Sequence, residues 1–572
     1  MKRLLVFLKD YKKECVLAPL FKMLEAIFEL FVPLVMASIV DQGIAASDMP
    51  HIWKMCLILL LLAVVGLSSS LTAQYFAAKA AVGFSTKLRH SVFEHIGTFS
   101  YSQLDRLKTP TLITRMTSDI NQAQAGVNMF LRLFLRSPFI VFGAMLMAFT
   151  VNAKEALTFV VTIPLLTSIV VGIMALTMPM YKKVQQKLDA ILDRTSENLE
   201  GVRVIRAFRH EKKELDAFND ENDSLNLMQR KVGRISALLN PVTFIIINAA
   251  TIVLLYTGAL KVDTAVITKG ELIALVNYMS QILVELIKLA NLIVTISRAL
   301  ACTDRVADIL DIKPAMKDGE KTLPEKDPGI PSVEFDHVHL TYLEGSEESL
   351  SDISFKVMPG ESLGIIGGTG SGKSSLVNLI PRFYDATKGT VKINGTDVRD
   401  ITLASLRRHI GIVPQNAVLF SGTIADNLRY GKDDATDNEM FEALKTAQAF
   451  DFVTADPKKL QRDVTEGGKN LSGGQKQRLT IARALIMDPQ ILILDDSASA
   501  LDMATDSKLR EALRELNGHP ATFIVSQRAS SVMNCDRILV MENGQAAALG
   551  THDELLKTCE IYREIYETQF ST

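Results

Sequence analysis

A glycine-rich motif with the spacing G-x-x-x-x-G-K-[ST] follows the apolar stretch Ser362 to Ile366 and opens a helix predicted over Ser374 to Arg382. Its residues, with the one that follows, are Gly367, Gly368, Thr369, Gly370, Ser371, Gly372, Lys373, Ser374 and Ser375. Glycines let backbone N–H groups curl around phosphates, and the helix N-terminus adds a positive dipole. The motif therefore predicts a nucleoside triphosphate site, with Lys373 on the β and γ phosphates and the Ser374 hydroxyl on Mg²⁺.

A carboxylate closes a second apolar run further along the same region. Asp495 follows Ile491 to Leu494, a run typical of a buried parallel strand. A carboxylate at the C-terminal end of such a strand can face the metal of a phosphate site. Taken alone, the first motif could be a plain glycine turn and Asp495 a strand-end cap. Together, they favour a magnesium-nucleotide site.

A third motif lies between these two, directly before a predicted helix, Lys476 to Met487. It consists of Leu471, Ser472, Gly473, Gly474 and Gln475. A serine hydroxyl and glycine amides at a helix N-terminus can hold an anion, although a purely structural helix cap has the same composition. The sequence LSGGQ, followed by an apolar strand and Asp495, resembles the signature of the ATP-binding-cassette (ABC) family.

The resemblance implies roles for further residues. In this family the LSGGQ segment binds the γ-phosphate of ATP seated on a second subunit, so a partner chain completes each site. Tyr342 resembles the aromatic residue that stacks on adenine, and Gln415 the glutamine that contacts Mg²⁺ beside Ser374 and Asp495. The segment Ser499 to Asp502 resembles the loop that meets its counterpart across the dimer, and Asp502 is its last residue. Outside this context, Tyr342 would be an ordinary core aromatic and Gln415 a surface polar residue.

Two positions depart from the family pattern. Asp496 stands where the family has Glu, which acts on the attacking water, and Gln527 stands where it has His, which contacts the γ-phosphate. Asp is one methylene shorter, and a misplacement of about 1 Å can cost about 10²-fold in rate. We therefore expect a chain that binds ATP but hydrolyses it poorly, the degenerate-site subunit of a heterodimer. The alternatives are that Asp496 acts through a water while Gln527 positions it, or that the protein is a competent homodimer.

The elements before residue 301 differ sharply from those that follow. A chain of 572 residues is too long for a single hydrophobic core, so at least two domains are expected. The mean hydropathy of +0.19 and the 22% of charged residues are averages over two unlike parts of the chain. Six apolar stretches approach the roughly 20 residues that cross a bilayer. They are Val16 to Val40, Met55 to Ala77, Phe130 to Val151, Ala156 to Met178, Asn240 to Leu260 and Leu272 to Val294.

The long connections between these stretches are rich in Lys and Arg, so the positive-inside rule places them and the N-terminus in the cytosol. We predict an α-helical six-span transmembrane domain over 1–310 and a linker over 311–331. An α/β nucleotide-binding domain follows over 332–572. By resemblance, this domain has a RecA-like P-loop core, an antiparallel β subdomain and an α-helical subdomain. This layout resembles half-size exporters of drugs or lipids in the bacterial plasma membrane, which move small hydrophobic or amphipathic substrates.

Placing a charged side chain inside the bilayer costs free energy, so charged residues within the predicted spans suggest a function. Glu25 and Glu29 could line a cavity that favours cationic cargo, or Glu25 could simply pair with Lys22. Glu285 and Lys288 are expected to neutralise each other.

Nucleic acid is not an expected partner, because the net charge is -2 and no basic face is evident. The five cysteines are scattered and indicate free thiols. An ATP-gated regulator that transports nothing shares every motif and remains an alternative.

Overall fold

The computed structural model describes residues 4–342, 347–497, 499–516 and 518–570. The chain divides into two compact units. The first takes in Met1–Gly97 and Thr109–Lys313, and the second takes in Thr98–Lys108 and Pro314–Thr572.

The first unit is helical. Six of its helices are long and apolar enough to cross a membrane, and each contains one of the predicted spans. They are α1 (Val6–Ile44), α2 (Met49–Gly97), α3 (Thr109–Val151), α4 (Ala153–Glu200), α5 (Glu211–Asp263) and α6 (Lys269–Asp311). A short helix, Val202–Ala207, separates α4 from α5. The prediction of six spans is confirmed.

Helices α1 and α6 are held together at two levels. Near the end of α1, the Asp41 carboxylate accepts hydrogen bonds from Thr268 Oγ1 at 2.5 Å and Gly270 N at 2.8 Å. Further along, the Tyr278 hydroxyl donates to the Leu30 carbonyl at 2.7 Å. A Cβ at position 270 would lie 2.3 Å from the Ala37 carbonyl oxygen, so only glycine permits this approach.

The described residues of the second unit form three sheets. Its strands are β1 (Val333–Leu340), β2 (Leu350–Val357), β3 (Ser362–Gly367), β4 (Lys388–Ile393), β5 (Thr396–Asp397), β6 (Ile410–Val413), β7 (Gly422–Thr423), β8 (Asp463–Val464), β9 (Ile491–Asp495), β10 (Ala521–Ser526), β11 (Arg537–Glu542) and β12 (Gln545–Gly550). An antiparallel sheet has the order β2-β1-β4-β5, and β7 pairs with β8.

The central sheet has the order β12-β11-β3-β10-β9-β6, in which all neighbours are parallel except β11 and β12. In the register, Val525 of β10 lies opposite Asp495 of β9, and Ser526 of β10 lies opposite Ile366 of β3. The carboxyl ends of β3, β9 and β10 therefore meet at one edge of the sheet. Open parallel sheets bind ligands at this edge.

Helices cover the sheets or follow them in the chain. They are α7 (Lys373–Asn378), α8 (Leu403–Arg408), α9 (Ile424–Arg429), α10 (Asp437–Thr446), α11 (Phe450–Thr454), α12 (Gly473–Leu485), α13 (Met503–Arg514), α14 (Ala529–Val532), α15 (His552–Thr558) and α16 (Glu560–Phe570). The core of the central and antiparallel sheets includes Phe335, Ile365, Ile493 and Phe523, all nearly inaccessible to solvent. The predicted α/β domain, with antiparallel and helical parts, is confirmed.

Two segments pack differently from the simple division of the sequence. Within the predicted linker, Lys321 forms a bridge with Ile401, and Leu323 N donates to Ser405 Oγ at 2.9 Å. This part of 311–331 is therefore attached to the second unit. Residues 98–108 lie between two spans in the sequence, yet they also belong to the second unit.

Candidate nucleotide-binding site

The phosphate motif forms a tight loop between β3 and α7. Gly370 and Gly372 adopt φ values of 83° and 94°, which side chains rarely tolerate. Among the residues that the structure describes, the N–H groups of Thr369 and Gly370 have no acceptor. Unused amides at a loop that leads into a helix form an anion cradle, so this geometry fits phosphate oxygens.

Lys373 lies folded back over this loop. Its ammonium donates to the carbonyls of Gly367 at 2.9 Å and Gly368 at 2.7 Å, and it lies 3.4 Å from Ser371 Oγ. Burial lowers the pKa of Lys373, while the charges of Asp496 and Asp495 oppose that shift. The ammonium is thus positioned at the cradle with little solvation, where a phosphate could replace the lost water.

Asp495 and Ser374 form a pair of hard oxygen donors. Ser374 Oγ donates to Asp495 Oδ1 at 3.1 Å, and the Asp495 side chain is buried. Burial raises the pKa of Asp495, against the hydrogen bond from Ser374. A buried carboxylate beside a hydroxyl is a suitable donor set for Mg²⁺, which would complete its coordination with water and phosphate oxygens. The residues present therefore fit the implied metal.

Asp496 begins the turn after β9 and is held by its backbone. Its φ is 44°, its N–H donates to the Val525 carbonyl at 3.0 Å, and its own carbonyl accepts from Ser499 Oγ at 2.8 Å. The side chain meets Gln415, whose Nε2 donates to Asp496 Oδ2 at 3.3 Å. The structure thus places together the two residues that the sequence linked to metal and water.

A cavity of about 570 Å³ is lined by ten of the predicted site residues. Those that line it are Thr369, Gly370, Gly372, Lys373, Ser374, Ser375, Gln415, Asp495, Asp496 and Gln527. Sequence reasoning did not identify Glu347, Glu348 and Asn543, which also line this cavity. They come from loops with no motif of their own, so only the folded chain reveals them.

Tyr342 lies beside this cavity without lining it. Its hydroxyl donates to Ser375 Oγ at 2.9 Å, and its ring meets Tyr384 edge-on with centroids 4.9 Å apart. Tyr342 as a residue is 37% exposed. The residues just after it, 343–346, lie outside the described part of the chain.

The LSGGQ segment lies apart from the cavity of the same chain. Ser472 caps α12: its Oγ accepts from Gln475 N at 3.3 Å, and Gln475 Oε1 accepts from Ser472 N at 3.0 Å. A Cβ on Gly473 would meet no atom within 4 Å, so this face is open. None of the five predicted signature residues lines the phosphate cavity.

The Asp502 side chain caps the N-terminus of α13. It accepts from Thr505 N at 2.9 Å and Thr505 Oγ1 at 2.7 Å at the start of α13. The backbone hydrogen bond from Thr505 lowers the pKa of Asp502 below its ordinary value. Asp502 does not line the phosphate cavity of this chain.

A contact that sequence reasoning missed involves the short helix Tyr101–Leu107. The Tyr101 ring lies 4.4 Å from the Phe383 ring, centroid to centroid. Tyr384 OH donates to Asp105 Oδ2 at 2.8 Å, which raises the pKa of Tyr384 together with the larger effect of burial. This cluster of aromatic rings follows α7, the helix that carries the phosphate loop.

Known proteins match the whole chain. One family model, for the ABC transporter transmembrane region, matches residues 15–286, and another, for the ABC transporter, matches residues 350–499. The uncharacterized ABC transporter ATP-binding protein YfiB of Bacillus subtilis is 35% identical over 572 residues, which cover 100% of this chain and 99% of that protein.

Two further similarities concern proteins with a named role. The ATP-dependent lipid A-core flippase of Desulfotalea psychrophila is 35% identical over 481 residues, or 84% of each chain. A solved structure of a bacterial Atm1-family ABC exporter with ATP bound matches with a TM-score of 0.81 at 25% identity. It covers 98% of this chain and 99% of that one.

This chain belongs to the ABC transporter family. Within the family, six apolar helices followed by one nucleotide-binding domain define a half-size exporter, a multi-pass membrane protein whose ATPase domain drives transport.

Proposed function

We propose that this chain is the degenerate-site half of a heterodimeric exporter. Its own phosphate loop holds Mg-ATP for long periods, and its LSGGQ segment completes a working site on the partner. One observation carries the proposal. The Asp496 side chain is one methylene shorter than Glu, and hydrogen bonds hold its backbone on both sides.

The position of Asp496 supports slow hydrolysis. Its N–H is bonded to Val525 and its carbonyl to Ser499, on either side of the carboxylate. These bonds tie the residue to β10 and to the following loop, so a backbone shift that replaced the missing methylene would have to break them. Phosphoryl transfer depends on positioning and electrostatics, and such a shortfall therefore costs rate directly.

Gln527 supports the same conclusion. It lines the cavity, and its backbone carbonyl accepts from Gln569 Nε2 at 2.8 Å, which fixes where its side chain starts. The amide can donate one hydrogen bond to a phosphate but cannot carry a positive charge. Charge that develops on the γ-phosphate would therefore be less well stabilised than by His.

The geometry of the LSGGQ segment supports a role in the nucleotide site of a second subunit. Ser472 and Gln475 keep their capping geometry, and the Gly473 face is open. An anion site that is intact but separate from the phosphate loop of its own chain can act only on a nucleotide held by a second subunit.

The substrate proposed for the exporter is a small hydrophobic or amphipathic molecule. The name of the Desulfotalea relative, a lipid A-core flippase, concerns an amphipathic lipid. The proposed location is a bacterial plasma membrane, with the N-terminus and the nucleotide-binding domain in the cytoplasm, because the long connections between spans are basic.

The test compares phosphate release and ATP binding for the purified chain alone and for its Asp496→Glu variant. We expect both proteins to bind Mg-ATP, and the variant to release phosphate on the order of 10²-fold faster. Asp488→Glu is the matched control, since Asp488 also has a positive φ, of 48°, but lies outside the cavity.

Rapid phosphate release by the unmodified chain, unchanged by Asp496→Glu, would contradict the proposal. That outcome would establish a homodimer in which Asp496 is competent. If both proteins bind ATP and neither hydrolyses it, Gln527→His added to Asp496→Glu is expected to restore the activity; a double variant that stays inactive would also contradict the proposal.

A further inference from the structure

A charged network crosses the first unit between α1, α3 and α6. The Arg136 guanidinium donates from Nη1 to Glu285 Oε1 at 2.7 Å and from Nη2 to Glu29 Oε2 at 2.6 Å. Glu285 also accepts from Ser137 Oγ and from Lys288 Nζ, each at 2.8 Å. Arg136 and Glu285 are buried, so these charges depend on one another in place of water.

The network is balanced in charge. Lys22 donates to Glu25 at 2.5 Å, and Arg136 also lies 4.0 Å from Glu25. Three carboxylates thus face three cations: Glu25, Glu29 and Glu285 against Lys22, Arg136 and Lys288. The hypothesis that Glu25 and Glu29 favour cationic cargo is weakened by this balance, because a ligand with a net charge would leave one charge unpaired within the membrane.

A cavity of about 500 Å³ opens beside the network, between α1 and α6. Glu29 and Lys288 line it with side chains 40% and 44% exposed, so each presents part of its charge to the cavity. Lys288 uses one of its three N–H groups on Glu285, and Glu29 accepts from Arg136 at Oε2, which leaves Oε1 available. Both groups therefore keep capacity for a ligand.

The rest of the lining includes Val32, Pro33 and Met36, which offer an apolar wall.

We propose that this cavity binds the head group of a zwitterionic amphiphile. The ammonium of the ligand donates to the Glu29 carboxylate, and its phosphate or carboxylate accepts from Lys288 Nζ. The apolar chain lies along the Val32, Pro33 and Met36 wall. A ligand with one charge of each sign keeps the network neutral.

This inference rests on the proposed export function and names its substrate class. The test is a binding measurement without nucleotide, so its result does not depend on hydrolysis. The full chain in a nonionic detergent is titrated with a 12-carbon lysophosphatidylethanolamine. An anionic lysophosphatidylglycerol and cationic dodecylamine, each with a 12-carbon chain, are compared with it, as is free phosphoethanolamine.

We expect the zwitterion to bind most tightly, and Glu29→Gln and Lys288→Met each to weaken it at least about 10-fold. Lys288→Met is expected to shift the preference towards cationic dodecylamine, and Glu29→Gln towards anionic lysophosphatidylglycerol. If the two residues only stabilised the fold, their replacement would not change the preference in opposite directions. Matched controls are Glu14→Gln on α1, which pairs with Lys79 at 2.8 Å, and Lys269→Met at the start of α6. Both are expected to leave binding within about 2-fold.

Equal binding of the three amphiphiles, or variants of Glu29 and Lys288 that bind like the controls, would overturn the proposal. Binding of free phosphoethanolamine as tight as the lysolipid would assign the cavity to a soluble zwitterion and overturn the lipid assignment. A thermal melt of each variant without ligand identifies misfolded protein. If Lys288→Met is misfolded, Lys288→Arg is measured in its place. This variant keeps the positive charge and should therefore retain the preference for the zwitterion.

Discussion

The two charged groups at the floor of the nucleotide cavity are both poorly solvated. Burial raises the pKa of Asp495 and lowers the pKa of Lys373, so each charged form is less favourable than in water. Such groups are stabilised when an ion or ligand replaces the lost water. In the nucleotide-free protein, the desolvated charges of Asp495 and Lys373 should therefore destabilise the fold, and bound Mg-ATP should offset this cost.

We predict that Asp495→Asn stabilises the nucleotide-free protein and abolishes its stabilisation by Mg-ATP. A raised pKa means that ionised Asp495 destabilises the fold, so the advantage of Asn is present at pH 7 and fades as the pH falls and Asp495 becomes protonated. A gain on the order of 1 kcal/mol corresponds to a Tm increase of about 2–4 °C in a domain of this size.

Thermal melts of both proteins at pH 7 and near pH 4, with and without Mg-ATP, measure this effect. A difference between Asn and Asp that stays constant across that pH range would contradict the argument.

At the scale of elements, several helices begin with the same local device. Ser472 of α12 and Thr436 of α10 both form capping boxes, with Gln475 and Glu439 as their respective partners. A capping box satisfies two amides at the helix start and is visible in the sequence as S/T-x-x-E/Q. Of these two helices, α12 begins with glycines and α10 does not, so the cap of α12 can also present open amides to an anion.

We predict that Ser472→Ala and Thr436→Ala destabilise the protein equally, by about 1 kcal/mol each. Only Ser472→Ala should lower the ATPase rate of a complex with a catalytic partner, because the proposed function places its hydroxyl in the partner's site. The measurement is chemical unfolding of each variant together with ATPase activity of the assembled pair. An equal loss of activity in both variants would indicate a general stability effect.

At the scale of the whole molecule, residues 98–108 join the two units by sequence. They connect α2 to α3, yet they pack with the second unit through Tyr101, Phe383 and Tyr384. The aromatic residues that follow α7 therefore link the phosphate loop to a segment that continues into two membrane helices.

We predict that Tyr384→Phe leaves ATP binding unchanged and reduces transport by about 2- to 10-fold. The variant keeps the ring contacts but loses the hydrogen bond to Asp105, worth about 0.5–1.5 kcal/mol. Flux into inverted vesicles, normalised to ATP hydrolysed, measures the effect. Tyr566→Phe, on α16, is the control and should behave like the unmodified protein.

The sequence predicted what depends on local pattern. The six spans follow from apolar length, the phosphate loop from glycine spacing, and the Lys22–Glu25 and Glu285–Lys288 pairs from helical periodicity. Arg136 was missed because its partners, Glu29 and Glu285, are 107 and 149 residues away. The contact between Tyr101 and Phe383 was missed for the same reason, since no local periodicity relates residues so far apart in the sequence.

The two-level attachment of α1 to α6 has a consequence for how cargo is released. Asp41 fastens one end of this helix pair to Thr268 and Gly270, and Tyr278 fastens its middle to Leu30. We therefore expect the cavity between these helices to keep its shape during transport, because separating its walls would break these hydrogen bonds. Cargo release would then depend on a change in the surroundings of the helix pair or in the access of water to the cavity.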